Sequence, residues 1–173
     1  MESNILLGHG SGGKLSHNLI IDLFVRYFDN PVLKQQTDSA LLDINSANIA
    51  FTTDSYIVDP IFFPGGDIGK LSVCGTVNDL AVSGATPKYL SVSFIIEEGF
   101  STKELETIVS SMADEAKRAG ILIVTGDTKV VNKGKCDKLF INTSGVGFIE
   151  EKYKSISTGE KIKTGDKIII NGT

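Results

Sequence analysis

The sequence predicts a globular domain of the α/β or mixed α+β class. Segments with the residue spacing of strands and of helices alternate along the chain, which is typical of this class. A length of 173 residues corresponds to one domain, or to one domain and a fragment, and is enough for a self-sufficient core. Hydrophobic residues make up 41% of the chain and charged residues 22%, a balance that excludes general disorder.

The first helix is predicted from apolar residues at helical spacing between residues 15 and 27, and the sequence at residues 29–31, Asp-Asn-Pro, ends it. The loop at residues 59–66 contains two prolines and two glycines, so we expect no regular structure there. Two extended segments lie between them, each with one aspartate: residues 32–42 with Asp38 inside, and residues 49–53 with Asp54 directly after them.

Two further helices are predicted from their capping residues. Asp67 is a good N-cap for a helix that runs to about residue 85. Ser101 and Glu104 have the spacing of a capping box, and Gly120 is the expected C-terminal stop of the next helix. We expect that helix to bury one face, because its apolar residues form a single stripe. The stripe consists of Leu105, Ile108, Val109, Met112, Ala116 and Ala119.

The remaining strands are predicted at residues 90–96, 121–125 and 139–149, which are rich in β-favouring residues. Gly126 and Asp127 directly follow the second of these strands. Beyond residue 150 the composition turns to Lys, Ser, Thr and Gly, which indicates a linker, and residues 167–170 have the pattern of a strand that begins there. We therefore divide the chain into a domain at residues 1–150 and a second segment at residues 151–173.

The charge balance argues against two classes of partner. Seventeen Lys and Arg against 21 Asp and Glu give a net charge of −4, whereas nucleic-acid binding favours a basic face and an anionic membrane repels an acidic one. No apolar run approaches the roughly 20 residues of a membrane helix, and the N-terminus lacks the pattern of a signal peptide. Two widely separated cysteines without metal-ligand spacing predict a reduced chain in the cytoplasm.

The glycine-rich segment at residues 8–14 matches two weak motifs. Gly8, Gly10 and Gly13 satisfy the dinucleotide pattern G-x-G-x-x-G, but the apolar segment before them is short. The same segment approaches a P-loop, except that Leu15 stands where Ser or Thr would ligate magnesium. Small residues that lead into a helix expose backbone N–H groups that suit an anion, so phosphate contact is one interpretation and a flexible loop is the other. The candidate phosphate-binding residues are Gly10, Ser11, Gly12, Gly13 and Lys14.

Four aspartates form the second candidate site. Asp54 and Asp127 directly follow predicted strands, where α/β sheets place ligands, and Asp38 lies inside an extended segment. Several carboxylates without matching histidines suit Mg²⁺, whereas the alternative is that each aspartate caps a turn or a helix. Lys129 shares the face of Asp127 on an extended backbone and would neutralise phosphate charge or act as a base, with an ordinary surface lysine as the alternative. The fourth aspartate, Asp79, lies on the second predicted helix, on a face of small polar residues: Ser72, Thr76 and Ser83.

Three longer blocks resemble the HypE family of hydrogenase maturation factors. They are FFPGGDIGK at residues 62–70, GTVNDLA at residues 75–81 and VTGDTKVV at residues 124–131, in the order that the family has them. HGSGG at residues 9–13 and FINT at residues 140–143 also match the family pattern. The resemblance covers about residues 8–170. It places the chain in a superfamily with aminoimidazole ribonucleotide synthetase, selenophosphate synthetase and thiamine-monophosphate kinase.

The resemblance implies a fold and a site. The implied fold is the N-terminal domain of the superfamily, a small mixed β-sheet flanked by helices, and two copies pair their sheets into a barrel-like dimer. The implied cofactors are ATP and Mg²⁺. Asn78 would lie beside the magnesium and phosphates, and Lys129 near the reacting group. The implied ligands of magnesium and phosphates are Asp38, Asp54, Asp79 and Asp127.

The resemblance also implies an activity and partners. HypE-like proteins dehydrate a carbamoyl group on their own C-terminal cysteine to a thiocyanate, the source of the cyanide ligands of nickel–iron hydrogenase. The carbamoyltransferase HypF supplies the carbamoyl group, and the HypC–HypD complex receives the cyanide. The family has a second domain that ends in this cysteine. We therefore expect residues 1–150 to be the ATP/Mg²⁺-binding and dimerisation domain, and residues 151–173 to be a linker and the first strand of a C-terminal domain.

Two other functions remain open at this point. One is a dinucleotide-binding oxidoreductase domain that uses the loop from Gly8 to Gly13, although the four aspartates count against it. The other is a dimerisation module without catalysis. For a chain of these 173 residues we expect no complete dehydration, because neither Cys74 nor Cys136 stands at a C-terminus where the acceptor cysteine belongs.

Overall fold

The computed structural model describes residues 3–36, 48–156 and 158–170, so Asp38 lies outside the described residues. The strands in this part of the chain are β1 (Ile49–Tyr56), β2 (Phe62–Phe63), β3 (Gly66–Asp67), β4 (Ala85–Glu97), β5 (Leu122–Val131) and β6 (Leu139–Ile149). Four of them form one mixed sheet in the order β1-β6-β4-β5, and β2 pairs with β3. The predicted fold class is therefore confirmed.

The sheet combines antiparallel and parallel pairs. β6 runs antiparallel to both β1 and β4, whereas β4 and β5 are parallel. A parallel pair needs a crossover connection, and a helix between β4 and β5 provides it. The helices are α1 (Lys14–Leu19), a π-helical segment (Ile20–Val25), α2 (Arg26–Phe28), α3 (Ile68–Val82) and α4 (Thr102–Ala119).

The helices pack on one face of the sheet and enclose the core there. α3 lies over β1 and β6, where a Cβ added to Gly145 would come within 2.8 Å of Thr76 and 2.9 Å of Leu80. α3 and α4 approach closely at Gly69, because a Cβ there would lie 2.5 Å from the Ile108 carbonyl oxygen. The fully buried large side chains of the core include Ile5, Leu19, Leu23, Ile68, Leu90, Ile96, Leu105, Ile108, Met112, Leu139 and Ile141.

The first predicted helix is confirmed, but its middle turns are π-helical. Phe24 stacks on Phe94 of β4 with ring centroids 5.0 Å apart, which fixes this helical region over the centre of the sheet. The extended segment predicted from residue 32 is wrong at its start, since Leu33–Gln35 form a 3₁₀ turn. The reason is the buried Asn30, whose Oδ1 accepts from the Leu33 N–H at 2.9 Å and whose Nδ2 donates to the Ile123 carbonyl at 2.8 Å.

Both long helices begin at the predicted caps. The Asp67 carboxylate accepts from the N–H groups of Gly69 at 2.7 Å and Lys70 at 3.0 Å. Ser101 Oγ accepts from the Glu104 N–H at 3.4 Å, and Gly120 ends α4 in the left-handed conformation with φ 66°. The predicted stripe of α4 is buried from Leu105 to Ala116.

Three predicted boundaries differ from the structure. β1 and β5 continue past the residues where we expected them to end, so Asp54 and Asp127 lie inside strands and not after them. The predicted irregular loop at residues 59–66 contains part of the two-residue ladder of β2 and β3. Gly65, with φ 96°, supplies the left-handed residue of the turn between these strands.

The chain beyond β6 first folds back on the domain and then becomes exposed. Glu151–Tyr153 form a 3₁₀ turn, and the space beside Gly84 is filled by Tyr153 and Ile156. Residues 158–170 form no strand, and Ile168 is 95% exposed, so the first strand of a further domain predicted from residue 167 stays a prediction. The domain boundary at residue 150 stays a prediction.

The second face of the sheet has no helix packed on it within the described ranges. Register places Phe51, Val146 and Tyr89 in one row on this face, and Phe51 is 68% exposed. The sheet of one chain is open, so the barrel-like pairing of two copies stays a prediction. No helix within the described ranges combines the length and the apolar character needed to span a bilayer.

Candidate functional site

A polar network joins β1, α3 and β6 on the helix-covered face of the sheet. Thr76 Oγ1 donates to Asp54 Oδ2 at 2.7 Å, and it lies 2.5 Å from Thr143 Oγ1 and 3.1 Å from the Tyr56 hydroxyl. A hydroxyl has one proton, so Thr76 gives its proton to the carboxylate and accepts from the other two groups. We call Asp54, Tyr56, Thr76 and Thr143 the Asp54 network.

The network leaves one carboxylate oxygen available. Thr76 and Thr143 are fully buried, whereas Asp54 is half-buried, and its Oδ1 has no hydrogen-bond partner among the described residues. The hydroxyls therefore orient the carboxylate and leave Oδ1 free for a ligand. Burial raises the pKa of the Tyr56 phenol above its ordinary value, and the nearby Asp54 charge adds to that effect.

Asp79 lies beside the Asp54 network. The Thr52 hydroxyl donates to Asp79 Oδ2 at 3.4 Å, and Thr52 shares a face of β1 with Asp54 because the two are alternate residues of the strand. Asn78 is exposed on α3, one residue before Asp79. Two of the four predicted aspartates are therefore brought together at the α3–β1 contact.

A second cluster lies in a cleft of about 780 Å³ at the β5 edge of the sheet. We call it the glycine-loop cleft. One wall consists of the predicted glycine loop, and the opposite wall consists of β5 from Ile123 to Lys129. Register pairs Asp127 with Ser93 and Lys129 with Ile95, so both charged side chains are on one face, as predicted. The lining residues from the glycine loop and α1 are His9, Gly10, Ser11, Gly12, Ser16 and His17.

The glycine loop has internal hydrogen bonds. Ser16 Oγ accepts from the Gly12 N–H at 2.9 Å and donates to the Gly8 carbonyl at 3.2 Å. The Ser11 hydroxyl donates to the same carbonyl at 2.9 Å. Gly10 packs on β5, where a Cβ would lie 2.5 Å from the Val130 nitrogen. The N–H groups of Ser11 and Gly12 are therefore bonded within the loop and are not exposed to an anion as we expected, and the loop is held in place.

The two clusters are separate within one chain. Asp54 and Gly126 lie in one row across the four strands, so Asp127 is three strand spacings from Asp54, roughly 14 Å, and on the opposite face. Among the described residues no three His, Cys, Asp or Glu side chains are grouped as a metal site. The magnesium assignment of Asp54, Asp79 and Asp127 stays a prediction, and Asp38 lies outside the described residues.

Neither cysteine has the surroundings of an activated thiol. Cys74 reaches the surface of α3, contrary to the core position that its apolar neighbours predicted. Partial burial raises the pKa of both thiols, with Glu115 adding to the shift of Cys74 and Glu97 to that of Cys136. A raised pKa lowers the fraction of nucleophilic thiolate at neutral pH.

Two functional candidates were missed in the sequence. Tyr56 and Thr143 lie in segments whose pattern predicts only a packed strand. Their proximity depends on the pairing of β1 with β6, which are about 90 residues apart in the chain. The glycine loop also contains His9, which is buried. The sequence did indicate Thr76, because its helix face carries small polar residues, whereas a solvent-exposed face usually carries long charged side chains.

The family model described as AIR synthase related protein, N-terminal domain, matches residues 36–149. Carbamoyl dehydratase HypE of Escherichia coli K12 is 52% identical over 177 residues, which cover 99% of this chain and 52% of that protein. The chain thus spans about half the length of the curated relatives it matches.

Two solved structures are similar in fold and sequence. Hydrogenase maturation protein HypE in complex with ATP has a TM-score of 0.83 and 58% identity over 85% of this chain and 44% of that one. A HypE–HypF complex contains a chain with a TM-score of 0.60 and 56% identity, covering 77% of this chain and 43% of that one.

Proposed function

Because the chain belongs to the AIR synthase related protein family, N-terminal domain, we propose that it is the ATP/Mg²⁺-binding and dimerisation domain of a HypE-type carbamoyl dehydratase. The observation that carries the proposal is the similarity, at 58% identity over 85% of the chain, to a HypE crystallised with ATP. The catalysed reaction, its substrates and its partners belong to a protein about twice this length, so they are part of the proposal.

The proposed reaction converts a thiol-bound carbamoyl group into a thiocyanate for nickel–iron hydrogenase. When bound with Mg²⁺, ATP supplies the phosphoryl group that lets the carbonyl oxygen leave as phosphate while the nitrogen loses two protons. Asp54 Oδ1 and the Asp79 carboxylate suit Mg²⁺, which prefers oxygen ligands. Lys129 would hold a positive charge beside the phosphates in the glycine-loop cleft.

The proposal retains Asp38, Asp127 and Asn78 as further ligands of magnesium or phosphate. Since Asp127 lies roughly 14 Å from Asp54 in one chain, both act on one nucleotide only if it spans the two clusters or if two chains share it. Gly10 to Lys14 would contact phosphates through the loop groups that are not already bonded internally. The Asp54 network would keep its carboxylate in one orientation.

The proposed partners are a second copy, HypF and the HypC–HypD complex. The open sheet face, with Phe51 at 68% exposure and Ile49 at 50%, favours a homodimer that covers it. The HypE–HypF complex among similar structures supports HypF as the source of the carbamoyl group. We also propose a cytoplasmic location, which the two unpaired thiols support.

A thermal-shift titration tests the nucleotide assignment. We expect Mg·ATP to raise the unfolding temperature of the chain and NAD to leave it unchanged, because the glycine loop begins within a 3₁₀ turn at Leu7–Gly10 and does not follow a strand of the sheet. Asp54→Asn and Asp79→Asn should lose the ATP shift, whereas Asp114→Asn on the exposed face of α4 should retain it. A shift by NAD alone would favour the oxidoreductase alternative.

Two further measurements test the remaining alternative. Light scattering should report a dimer, and incubation with HypF, carbamoyl phosphate and ATP should leave Cys74 and Cys136 unmodified. A dimer without any Mg·ATP binding would favour a dimerisation module without catalysis. A carbamoyl mass increment on either cysteine would contradict the expectation that this chain alone does not accept the group.

A further inference from the structure

His9 is a buried histidine in the wall of the glycine-loop cleft. Its side chain is 4% exposed, and it lines the same cleft as Gly10, Asp127 and Lys129. The proposed magnesium and phosphate ligands do not include it. A buried imidazole that borders a polar cleft is available to whatever ligand enters that cleft.

One ring nitrogen of His9 already accepts a hydrogen bond from the backbone. Nδ1 accepts a hydrogen bond from the Leu6 N–H at 3.0 Å, and the His9 backbone N–H donates to the Leu6 carbonyl at 2.9 Å. A neutral imidazole carries one proton, and a nitrogen that accepts an N–H cannot carry it. The proton therefore resides on Nε2, which has no hydrogen-bond partner in the described part of the chain.

The backbone around His9 is fixed by independent contacts. Ser16 bridges Gly8 and Gly12 through its hydroxyl, and Gly10 rests against the Val130 backbone. His9 itself lies between these fixed points. Its N–H donor is therefore oriented before any ligand arrives, and binding requires little additional ordering.

The strand that forms the opposite wall of the cleft carries one charged residue of each sign, and register places both side chains on the sheet face away from Asp54. Asp127 carries a negative charge and Lys129 a positive one, so the pair contributes almost no net attraction for an anion. A neutral N–H donor adds a hydrogen bond to a phosphoryl oxygen without changing this charge balance. Hydrogen bonds to charged oxygens are stronger than those between neutral groups.

We propose that His9 binds the phosphate-bearing ligand of the cleft, with Nε2–H donating to a phosphoryl oxygen. This inference rests on the proposed function, since it takes the cleft to hold a nucleotide phosphate. It assigns to His9 a role that neither the glycine-motif pattern nor the four aspartates predict. The ligand class is an organic or inorganic polyphosphate.

The experiment compares two substitutions at His9 with one at Asn18, an exposed residue of α1 that does not line the cleft. His9→Asn keeps an acceptor near the Nδ1 position and removes the distal donor, whereas His9→Gln keeps a distal N–H. Binding of Mg·ATP and of inorganic tripolyphosphate is measured by calorimetry. We expect His9→Asn to weaken both by about tenfold, His9→Gln by less than about threefold, and Asn18→Ala to leave both unchanged.

A second readout follows the proton directly. Long-range ¹H–¹⁵N correlation on the labelled wild-type chain should show the Nε2–H tautomer of His9 and a shift of its Nε2 resonance on addition of tripolyphosphate. An Nδ1–H tautomer, an Nε2 resonance that does not move, or unchanged binding by His9→Asn would overturn the role of His9 alone. If the wild-type chain binds neither probe, the proposed function fails and the His9 proposal fails with it. Should His9→Asn not fold, the wild-type resonance decides.

Discussion

The two long helices lie side by side on one face of the sheet, yet they bury different kinds of residue. α4 buries an apolar stripe from Leu105 to Ala116 and exposes most of its charged residues. α3 buries Ser72 and Thr76 completely and leaves Leu71 and Val82 exposed at 38% and 62%. A helix that serves packing alone has a regular stripe. α3 departs from that pattern because its buried face has to hold the hydroxyl that orients Asp54.

The largest expected effect is a loss of folding stability when a core side chain of α4 is truncated. Leu105→Ala removes a fully buried side chain from α4, and we expect the free energy of unfolding to fall by about 2–5 kcal/mol. Urea unfolding followed by circular dichroism measures it. Lys117→Ala, on the exposed face of the same helix, is the control and should change stability by less than about 0.5 kcal/mol. Similar losses for both variants would contradict the division of α4 into two faces.

The next effect compares the caps of the two helices. Asp67 is buried and accepts from Gly69, Lys70 and the Ser111 hydroxyl, the last at 2.9 Å, so it joins α3 to α4. Ser101 accepts one long hydrogen bond at an exposed position. We expect Asp67→Ala to cost about 2 kcal/mol and Ser101→Ala about 0.5 kcal/mol in unfolding free energy. Equal costs would show that the cap of α3 has no role beyond helix initiation.

A smaller effect is expected from the Asp54 network. Thr76→Val keeps the shape and removes the hydroxyl, which leaves Asp54 and Thr143 without their common partner. We expect a loss of about 1 kcal/mol in stability and a weaker response to Mg·ATP. Thr107→Val on α4 is the matched control, because its exposed hydroxyl donates to the Lys103 carbonyl within the same helix. An unchanged nucleotide response in Thr76→Val would separate the network from the site.

The smallest effect concerns alkaline pH. The pKa of Tyr56 is raised in the folded chain by burial and by the Asp54 charge. The protonated phenol therefore contributes to the free energy of unfolding below pH 10, and this contribution is lost as the pH rises through the folded pKa. Tyr56→Phe should therefore lose less stability above pH 10 than the wild type. A hydrogen bond to Glu106 raises the pKa of Tyr27 too, so the double variant with Tyr27→Phe should lose least. Parallel pH profiles for all three chains would contradict this account.

The bounds of elements with a clear local pattern were predicted well from the sequence. The stripe and caps of α4 identify it almost to the residue, and β6 has the predicted bounds at Leu139 and Ile149. The predicted β1 and β5 ended too early, because we interpreted Asp54 and Asp127 as residues that follow the strands. In the structure the strands continue around them, since Thr128 and Val130 after Asp127 are β-favouring residues.

The site was predicted less completely, because the distance between residues on different strands depends on the order of the strands in the sheet. Nothing in the local pattern shows that β6 and β4 separate β1 from β5, so the separation of Asp54 from Asp127 was not accessible. The partners of Asp54 were hidden for the same reason, since Thr143 contacts it only through pairing of distant segments. Local pattern does place Asp127 and Lys129 on one face, because two residues of one strand need no information about its neighbours.

The strand order also has a consequence for synthesis of the protein on the ribosome. Among the described strands β1 pairs only with β6, and Thr53 lies 90 residues before its partner Thr143. At about 5–20 residues per second, β1 waits on the order of ten seconds for its partner to be translated. During that interval Phe51 and Ile49 are unpaired outside the ribosome. We expect a nascent chain stalled before β6 to be retained by chaperones and one stalled well after it to be released.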